Sequence, residues 1–315
     1  MASRYWLITM LYDLVIIGGG PAGVAAGIFA SRKKIKTLLI AKNFGGQAVI
    51  SSKIENFIGF KEISGVELSK ILEEHLRAQE GIEIKEGASV ISIKKGGDGF
   101  EISDSAGGVY QSKNILIALG RSYRKLNISG EKEFEGKGVF YCSICDAPLM
   151  KDKKSAVIGG GNSGLGAAID LLPYASEIYI LERTSFLKGD VVSQEKLKSS
   201  SKVKILTDVE VKEIIGDGFV KSLKYKDLKT GEEKILDVSG VFVAAGYQPN
   251  SDLVKNLVNL NEKGEIIVDH KTYQASTKGI WAAGDITDGL YNQISIAIGD
   301  AIKAVLNIYE TLKSE

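Results

Sequence analysis

Cysteine, histidine and unbalanced charge are all scarce in this chain of 315 residues, and each scarcity removes a class of function. Cys142 and Cys145 are the only cysteines, too few for the disulfide framework of a small secreted domain. His75 and His270 are the only histidines, which leaves a tetrahedral zinc site of about four N/S ligands short of donors. Forty Lys and Arg against 39 Asp and Glu give a net charge of +1, so no global field draws nucleic acid or an anionic membrane. No run of about eighteen apolar residues is present to span a bilayer. The opening MASRYWLITMLYD breaks off at Asp13 without a small-residue cleavage site. The expectation is a cytosolic protein with no nucleic-acid, membrane or metal partner, in which His75 and His270 are ordinary surface residues. The composition that remains, 44% hydrophobic and 25% charged, is that of a chain able to bury a sizeable core, and its length suggests about two domains.

Against this background the stretch YCSICDAP, Tyr141 to Pro148, is unusual because it holds both cysteines two residues apart with a carboxylate directly behind. Half of a zinc site is one reading, and the shortage of further ligands weighs against it. A structural staple is another, but closing so short a loop stabilises by roughly 2 kcal/mol, little for a chain this long. The third is a redox couple, since paired thiols in Cys-x-x-Cys lower each other's pKa and exchange disulfides readily. Asp146 then serves either as a proton donor and acceptor to the sulfurs or as the cap of the following turn.

Two glycine-rich motifs extend this reading. YDLVIIGGGPAGVAAGIFA, from Tyr12, is a buried-strand run followed by Gly18, Gly20 and Gly23 and then small apolar residues at helical spacing. In a strand–turn–helix unit of this kind the first glycine makes the turn, the second admits a pyrophosphate and the third lets helix and strand pack closely. SAVIGGGNSGLGAAIDLL, from Ser155, repeats the pattern with Gly159, Gly161 and Gly164. Two fingerprints imply two dinucleotides. Each is answered by a returning strand that ends in glycine, NILIALG at Gly120 and GVFVAAG at Gly246, a domain's length of roughly a hundred residues downstream. A third strand, GIWAAGD up to Asp285, and a helix from about Ile294 complete the first half. The expected fold is α/β, with two Rossmann-like, doubly wound, three-layer dinucleotide-binding domains. Residues 123–247 form the second, inserted into a first domain made of residues 11–122 and 248–315, through two strand-like linkers.

The order of these motifs, with FGGQ at Phe44 to Gln47, IENFIGF at Ile54 to Phe60, CSICD between the halves and AAGD near the end, resembles the low-molecular-weight thioredoxin reductase family from Tyr12 onward. The second half, with YILERTSFLKGD, is similar to the flavoprotein subunit of alkyl hydroperoxide reductase, without that subunit's N-terminal thioredoxin-like region. The resemblance implies FAD in the first domain. Gly18, Gly20, Pro21, Ala22 and Gly23 would face its pyrophosphate. Gly45, Gly46, Gln47, Asn56, Ala118, Gly120, Gly284 and Asp285 would line its ribityl and flavin side, and Gln293 and Ile294 the pyrimidine edge. The nicotinamide dinucleotide would lie on Gly159, Gly161, Asn162, Ser163, Gly164, Glu182, Arg183 and Gly246. One departure stands out: the strand ending LLIAKNF lacks the carboxylate that often holds a ribose about twenty residues past the first glycine.

The resemblance also implies a mechanism, in which hydride passes from nicotinamide to flavin, electrons pass to the Cys142–Cys145 disulfide, and the dithiol reduces an outside protein. Cys145 would be the flavin-side sulfur, Cys142 the attacking thiolate and Asp146 the proton carrier, in a homodimer. NADPH-specific members carry a His-Arg-Arg type cluster where this chain has Leu181, Glu182 and Arg183. Glu182, about twenty residues past Gly159, suits a ribose 2′-OH and repels a 2′-phosphate, which favours NADH over NADPH. The expected function is a flavin-dependent disulfide reductase serving a thioredoxin-like or glutaredoxin-like protein. The alternatives are an NADH oxidase of a peroxiredoxin system and a flavin redox sensor without turnover.

Overall fold

The computed structural model describes residues 11–51, 54–97 and 99–314. The opening residues 1–10, on which the reading of the N-terminal stretch partly rests, lie outside them. The chain divides into two compact units, one running to Ser122 and resuming at Gln248, the other Tyr123–Tyr247.

The first unit begins with Leu11–Ile17 (β1), Pro21–Arg32 (α1), Thr37–Ala41 (β2), Gly65–Arg77 (α2), Ile82–Glu86 (β3), Val90–Gly96 (β4), Gly99–Asp104 (β5), Val109–Ile117 (β6) and Arg121–Tyr123 (β7). β1 from Leu14 and β2 from Leu38 are unbroken apolar runs because both faces of a parallel sheet are covered. α1 starts with Pro21 in its first turn, where a missing N–H costs nothing, and buries Ala22, Val24, Ala25 and Ala26. α2 is opened by a serine cap. The Ser64 hydroxyl accepts the Glu67 N–H at 3.1 Å, a contribution of about 1 kcal/mol, and His75 and Arg77 lie in its last turn.

The second unit follows with Val139–Phe140 (β8), Ser143–Asp146 (α3), Lys154–Ile158 (β9), Asn162–Leu171 (α4), Glu177–Leu181 (β10), Val191–Lys198 (α5), Val203–Leu206 (β11), Val209–Asp217 (β12), Phe219–Asp227 (β13), Glu233–Asp237 (β14) and Gly240–Val243 (β15). The return to the first unit adds Tyr247–Pro249 (β16), Ile280–Ala282 (β17) and Ile294–Ser314 (α6). The linker strands β7 and β16 pair with each other.

In the first unit the sheet runs β3-β2-β1-β6-β5-β4, with β17 also on β6. The nine residues of β6 serve two purposes. Residues 109–112 pair antiparallel with β5, while residues 115–117 pair parallel with β17, and both halves lie parallel to β1. The tail thus completes this unit. α6 packs on α1 through Ala297, Ala301, Ala304, Val305 and Ile308, and the fully buried Trp281 donates its indole N–H to Asn307 Oδ1 at 3.0 Å.

The second unit shows its layers through strand alternation. Val157, Ile178, Ile180 and Phe242 face α4, packing with Leu165, Ala168 and Leu171. Their neighbours Ala156, Ile158, Tyr179, Leu181, Val241 and Val243 face the other way, onto Val209, Val211, Ile214, Val220 and Leu223 of the antiparallel β12-β13-β14 meander. The parallel core order is β11-β10-β9-β15-β8. The third layer here is therefore a strand meander, which the glycine-motif reading did not single out. Gly23 and Gly164 are indispensable to this packing, since a Cβ on either would run into the carbonyl oxygen of Gly18 or Gly159.

Candidate functional site

In the first unit the segments singled out from sequence converge at the C-terminal ends of the parallel strands, where open α/β sheets bind ligands. β1 runs into Gly18–Gly20, β2 into the Phe44–Gln47 loop, β6 into Ala118–Gly120 and β17 into Gly284–Asp285. Gly18 takes φ +121°, and a Cβ there would strike Ala118 O. Gly45 N–H bonds Gly19 O at 2.9 Å and joins the two glycine loops. Gly20 caps α1 with no side-chain hydrogen bond and no acidic residue follows in the first turn, so the helix offers bare N–H donors and its positive end. A Cβ on Gly20 would meet only Gly46 Cα at 3.8 Å, whereas one on Gly46, at φ +54°, would come within 3.1 Å of Gly20 Cα. This glycine-lined cradle fits a pyrophosphate.

Around it lies a polar network. Gln47 Nε2 donates to Arg121 O at 3.1 Å, and Asn56 Nδ2 donates to Gln293 Oε1 at 3.0 Å. Arg121 reaches Asp285 Oδ2 through Nε at 3.1 Å and Asn292 Oδ1 through Nη1 at 3.1 Å. Gly284 sits between Ala22 and Ala297, the opening turns of α1 and α6, with Ile294 at the head of α6. Arg121 and Asn292 were missed by the sequence reading. The signal was there, since Arg121 directly follows the Gly120 turn.

The second unit repeats the arrangement. Gly161 caps α4 without a side-chain bond, no acid follows, and a Cβ on Gly161 would meet nothing within 4 Å. Gly159, at φ +116°, turns tightly against Ala244 O. Gly246, at φ +90°, closes the opposite strand, Asn162 Oδ1 accepts Asp190 N–H at 2.8 Å, and Ser163 is exposed. This too fits a dinucleotide pyrophosphate.

Glu182, at the end of β10, is buried and held by hydrogen bonds. Its Oε2 accepts Gly160 N–H at 2.6 Å, and its Oε1 accepts the Thr184 N–H at 2.9 Å and lies 2.8 Å from the Thr184 hydroxyl. Burial pushes its pKa up, but the bonds from Thr184 and Gly160 outweigh that and hold the carboxyl below its usual range. Thr184 is a third residue missed in sequence. Arg183 is 74% exposed and lies 3.5 Å from Glu210 Oε1. Leu181 occupies the first position of the basic cluster by alignment, and strand alternation buries it against the meander.

The cysteine segment lies on α3, a single turn ahead of β9. Cys142 is half-buried, and its carbonyl accepts the Asp146 N–H at 3.1 Å. Cys145 belongs to the same turn, but its side chain lies outside the described residues. Asp146 occupies the cap of the 3-10 turn Ala147–Met150, yet its side chain makes no capping bond there, which removes the capping reading. Burial raises its pKa above the ordinary carboxylate value. His75 and His270 are exposed, and His270 Nε2 lies 3.3 Å from Asp288 Oδ1. Among the described residues no group of three or more His, Cys, Asp or Glu could hold a metal, and no helix is long and apolar enough to cross a membrane.

Two glycine-lined helix N-termini, one per unit, and a Cys-x-x-Cys turn in the second unit define a dinucleotide-dependent disulfide oxidoreductase. The sequence profile of the pyridine nucleotide-disulphide oxidoreductase family matches residues 12–301, and the chain belongs to this flavin-dependent family. An alkyl hydroperoxide reductase subunit of Staphylococcus aureus (strain MRSA252) is 42% identical over 299 residues, which are 95% of this chain and 59% of that protein. The chain thus spans about three-fifths of the length of that relative. Thioredoxin reductase of Lactococcus lactis superposes with TM-score 0.84 at 34% identity, covering 96% of this chain and 100% of that one. Thioredoxin reductase of T. acidophilum gives 0.81 at 37%, covering 96% and 99%.

Proposed function

We propose that this chain reduces the disulfide of a thioredoxin-like or glutaredoxin-like protein, with NADH as the electron source, FAD in the first unit and the Cys142–Cys145 pair as the exchanging couple. The observation that carries the reading is the pairing, within the second unit, of a glycine-lined helix N-terminus with a Cys-x-x-Cys turn whose next residue is a half-buried carboxylate.

Gly18, Gly20, Gly23 and Gly46 would hold the FAD pyrophosphate by backbone donors. Gln47, Asp285 and Gln293 would supply side-chain bonds nearer the ring, with Arg121 holding Asp285 in place. FAD, when bound, supplies the two-electron relay between a nicotinamide and the enzyme disulfide. Gly159, Gly161 and Gly164 would seat the nicotinamide dinucleotide, and Glu182, with one lone pair left on Oε2, would accept a ribose 2′-OH.

The chain's own chemistry is thiol–disulfide exchange. The Cys142 thiolate attacks one sulfur of the partner disulfide, that S–S bond breaks, and the other partner sulfur leaves as a thiolate and takes up a proton. Cys145 then attacks Cys142, closing the enzyme disulfide and releasing the first partner sulfur. Two electrons pass to the partner and two protons follow. Asp146, whose raised pKa keeps it protonated further up the pH scale than a free carboxyl, delivers and recovers protons at these sulfurs. The test is NADH-driven reduction of a panel of small Cys-x-x-Cys proteins by wild type and by Cys142→Ser/Cys145→Ser. Disulfide reduction should disappear in the double variant. Persistence would refute the reading, and NADH consumption that depends only on oxygen would point to an oxidase.

A further inference from the structure

Cys142 sits between two residues that are each tied to a carboxylate. On its N-terminal side the Tyr141 hydroxyl donates to Glu131 Oε1 at 2.8 Å, and Glu131 is fully buried. The same carboxylate accepts Leu126 N–H at 2.8 Å and Asn127 N–H at 2.6 Å. A buried charge with these partners cannot swing away without losing them. Asn127 adopts φ +58° in this loop, a conformation that asparagine tolerates better than most residues. Burial, and then the bond to Glu131, raise the Tyr141 pKa, so the hydroxyl stays a donor at neutral pH. The ring is further fixed beside Tyr123, with centroids 6.0 Å apart, and by Lys125 Nζ 5.5 Å from its centre.

On the C-terminal side Ser143 Oγ donates to Asp170 Oδ2 at 2.7 Å, and Asp170 lies in the last turn of α4. The cysteine turn itself is four residues long, too short to hold a geometry alone.

We propose that Glu131 and Asp170 are positioning residues, acting through Tyr141 and Ser143 to hold the Cys142 sulfur in the one orientation that a protein disulfide can meet. The proposal rests on the reading of Cys142 as the attacking thiolate. Attack on an S–S bond requires the incoming sulfur to approach along the bond axis. A small disulfide rotates freely into that line, whereas a disulfide fixed in a folded partner depends on the enzyme to present the sulfur. Losing either tether should therefore slow protein reduction and spare small-molecule exchange.

The experiment uses FAD-loaded protein, pre-reduced anaerobically and mixed in single turnover with either an oxidised thioredoxin carrying one Cys-x-x-Cys disulfide or 5,5′-dithiobis(2-nitrobenzoic acid). Ser143→Ala, Asp170→Ala and Tyr141→Phe should each slow the protein reaction about tenfold and leave the small disulfide within about twofold. Asp170→Asn, which keeps an acceptor for Ser143, should recover most of the protein rate. A parallel fall with both probes would overturn the proposal, because it would mean lost fold or lost thiol reactivity, and so would unchanged rates with both. The underlying reading fails separately, if Cys142→Ser still reduces the thioredoxin at the wild-type rate.

Discussion

On the proposed function Glu182 should favour NADH over NADPH, and Glu182→Gln should relax that preference. The group is a fixed, ionised acceptor: Thr184 occupies Oε1 with two groups, Gly160 N–H takes one lone pair of Oε2, and these bonds hold its pKa low despite burial. A ribose hydroxyl can donate to the remaining lone pair, whereas a 2′-phosphate would set negative charge against negative charge. At a separation of about 4 Å and an effective dielectric near 20, that repulsion is on the order of 4 kcal/mol. Arg183 gives limited relief, being mostly exposed and directed at Glu210, and Lys188 contributes a weaker attraction to the carboxylate. Screening by water and salt should still leave more than the ~1.4 kcal/mol that separates two substrates tenfold. The assay is anaerobic stopped-flow reduction of the bound flavin by each nucleotide at moderate ionic strength. Wild type should favour NADH by about tenfold or more, and Glu182→Gln should bring the ratio below about threefold. Leu181→Arg is expected to destabilise the second unit, not to recruit NADPH, because Leu181 is buried. Equal or better wild-type rates with NADPH would refute the argument.

Asp146→Asn should slow protein disulfide reduction by about a hundredfold and remove the alkaline limb that titration of the raised carboxyl imposes on the pH–rate profile. The sign for stability is opposite to that of a salt-bridged acid. The folded state binds this proton more tightly than the unfolded state, so stability falls as pH rises from the ordinary Asp value through the raised one, and the Asn variant should flatten that part of a melting-temperature series. Purified protein should be yellow and release FAD, not FMN, on denaturation. Gly20→Val should lower flavin absorbance per protein at a nearly unchanged melting temperature, since a Cβ meets only Gly46 Cα at 3.8 Å, whereas Gly23→Ala should unfold the unit by striking Gly18 O. After mild reduction, mass spectrometry should find iodoacetamide on Cys142 before Cys145, and the reverse order would exchange their assigned roles.

The parts of the molecule that could be read from sequence are those whose physical requirement is local. Gly18, Gly20 and Gly23, and again Gly159, Gly161 and Gly164, mark a strand–turn–helix by a spacing that is itself local, with Gly23 and Gly164 each packed on a carbonyl five residues back, and the resulting three-layer α/β fold is the one observed. The returning strands β6, β15 and β17 were legible as apolar runs ending in glycine. The β12-β13-β14 layer was not, because its alternation acquires meaning only against the far face of β9, β10 and β15. Leu181, at the first position of the basic cluster by alignment, turns inward because strand alternation decides which face each residue takes. Glu131 and Asp170 were invisible for a related reason: nothing in their spacing distinguishes them from surface polar residues, and only tertiary hydrogen bonds bring them to Tyr141 and Ser143.

The central claim is that electrons from a nicotinamide leave through Cys142 and Cys145 into a protein disulfide, and it is tested most directly by anaerobic stoichiometry. FAD-loaded protein is mixed with limiting NADH and excess oxidised thioredoxin, and the thiols that appear on the thioredoxin are counted. The account predicts about two thiols per NADH consumed, and none when both cysteines are replaced by serine. NADH oxidised without thiols on the partner, or thiols formed equally well by the double serine variant, would contradict it.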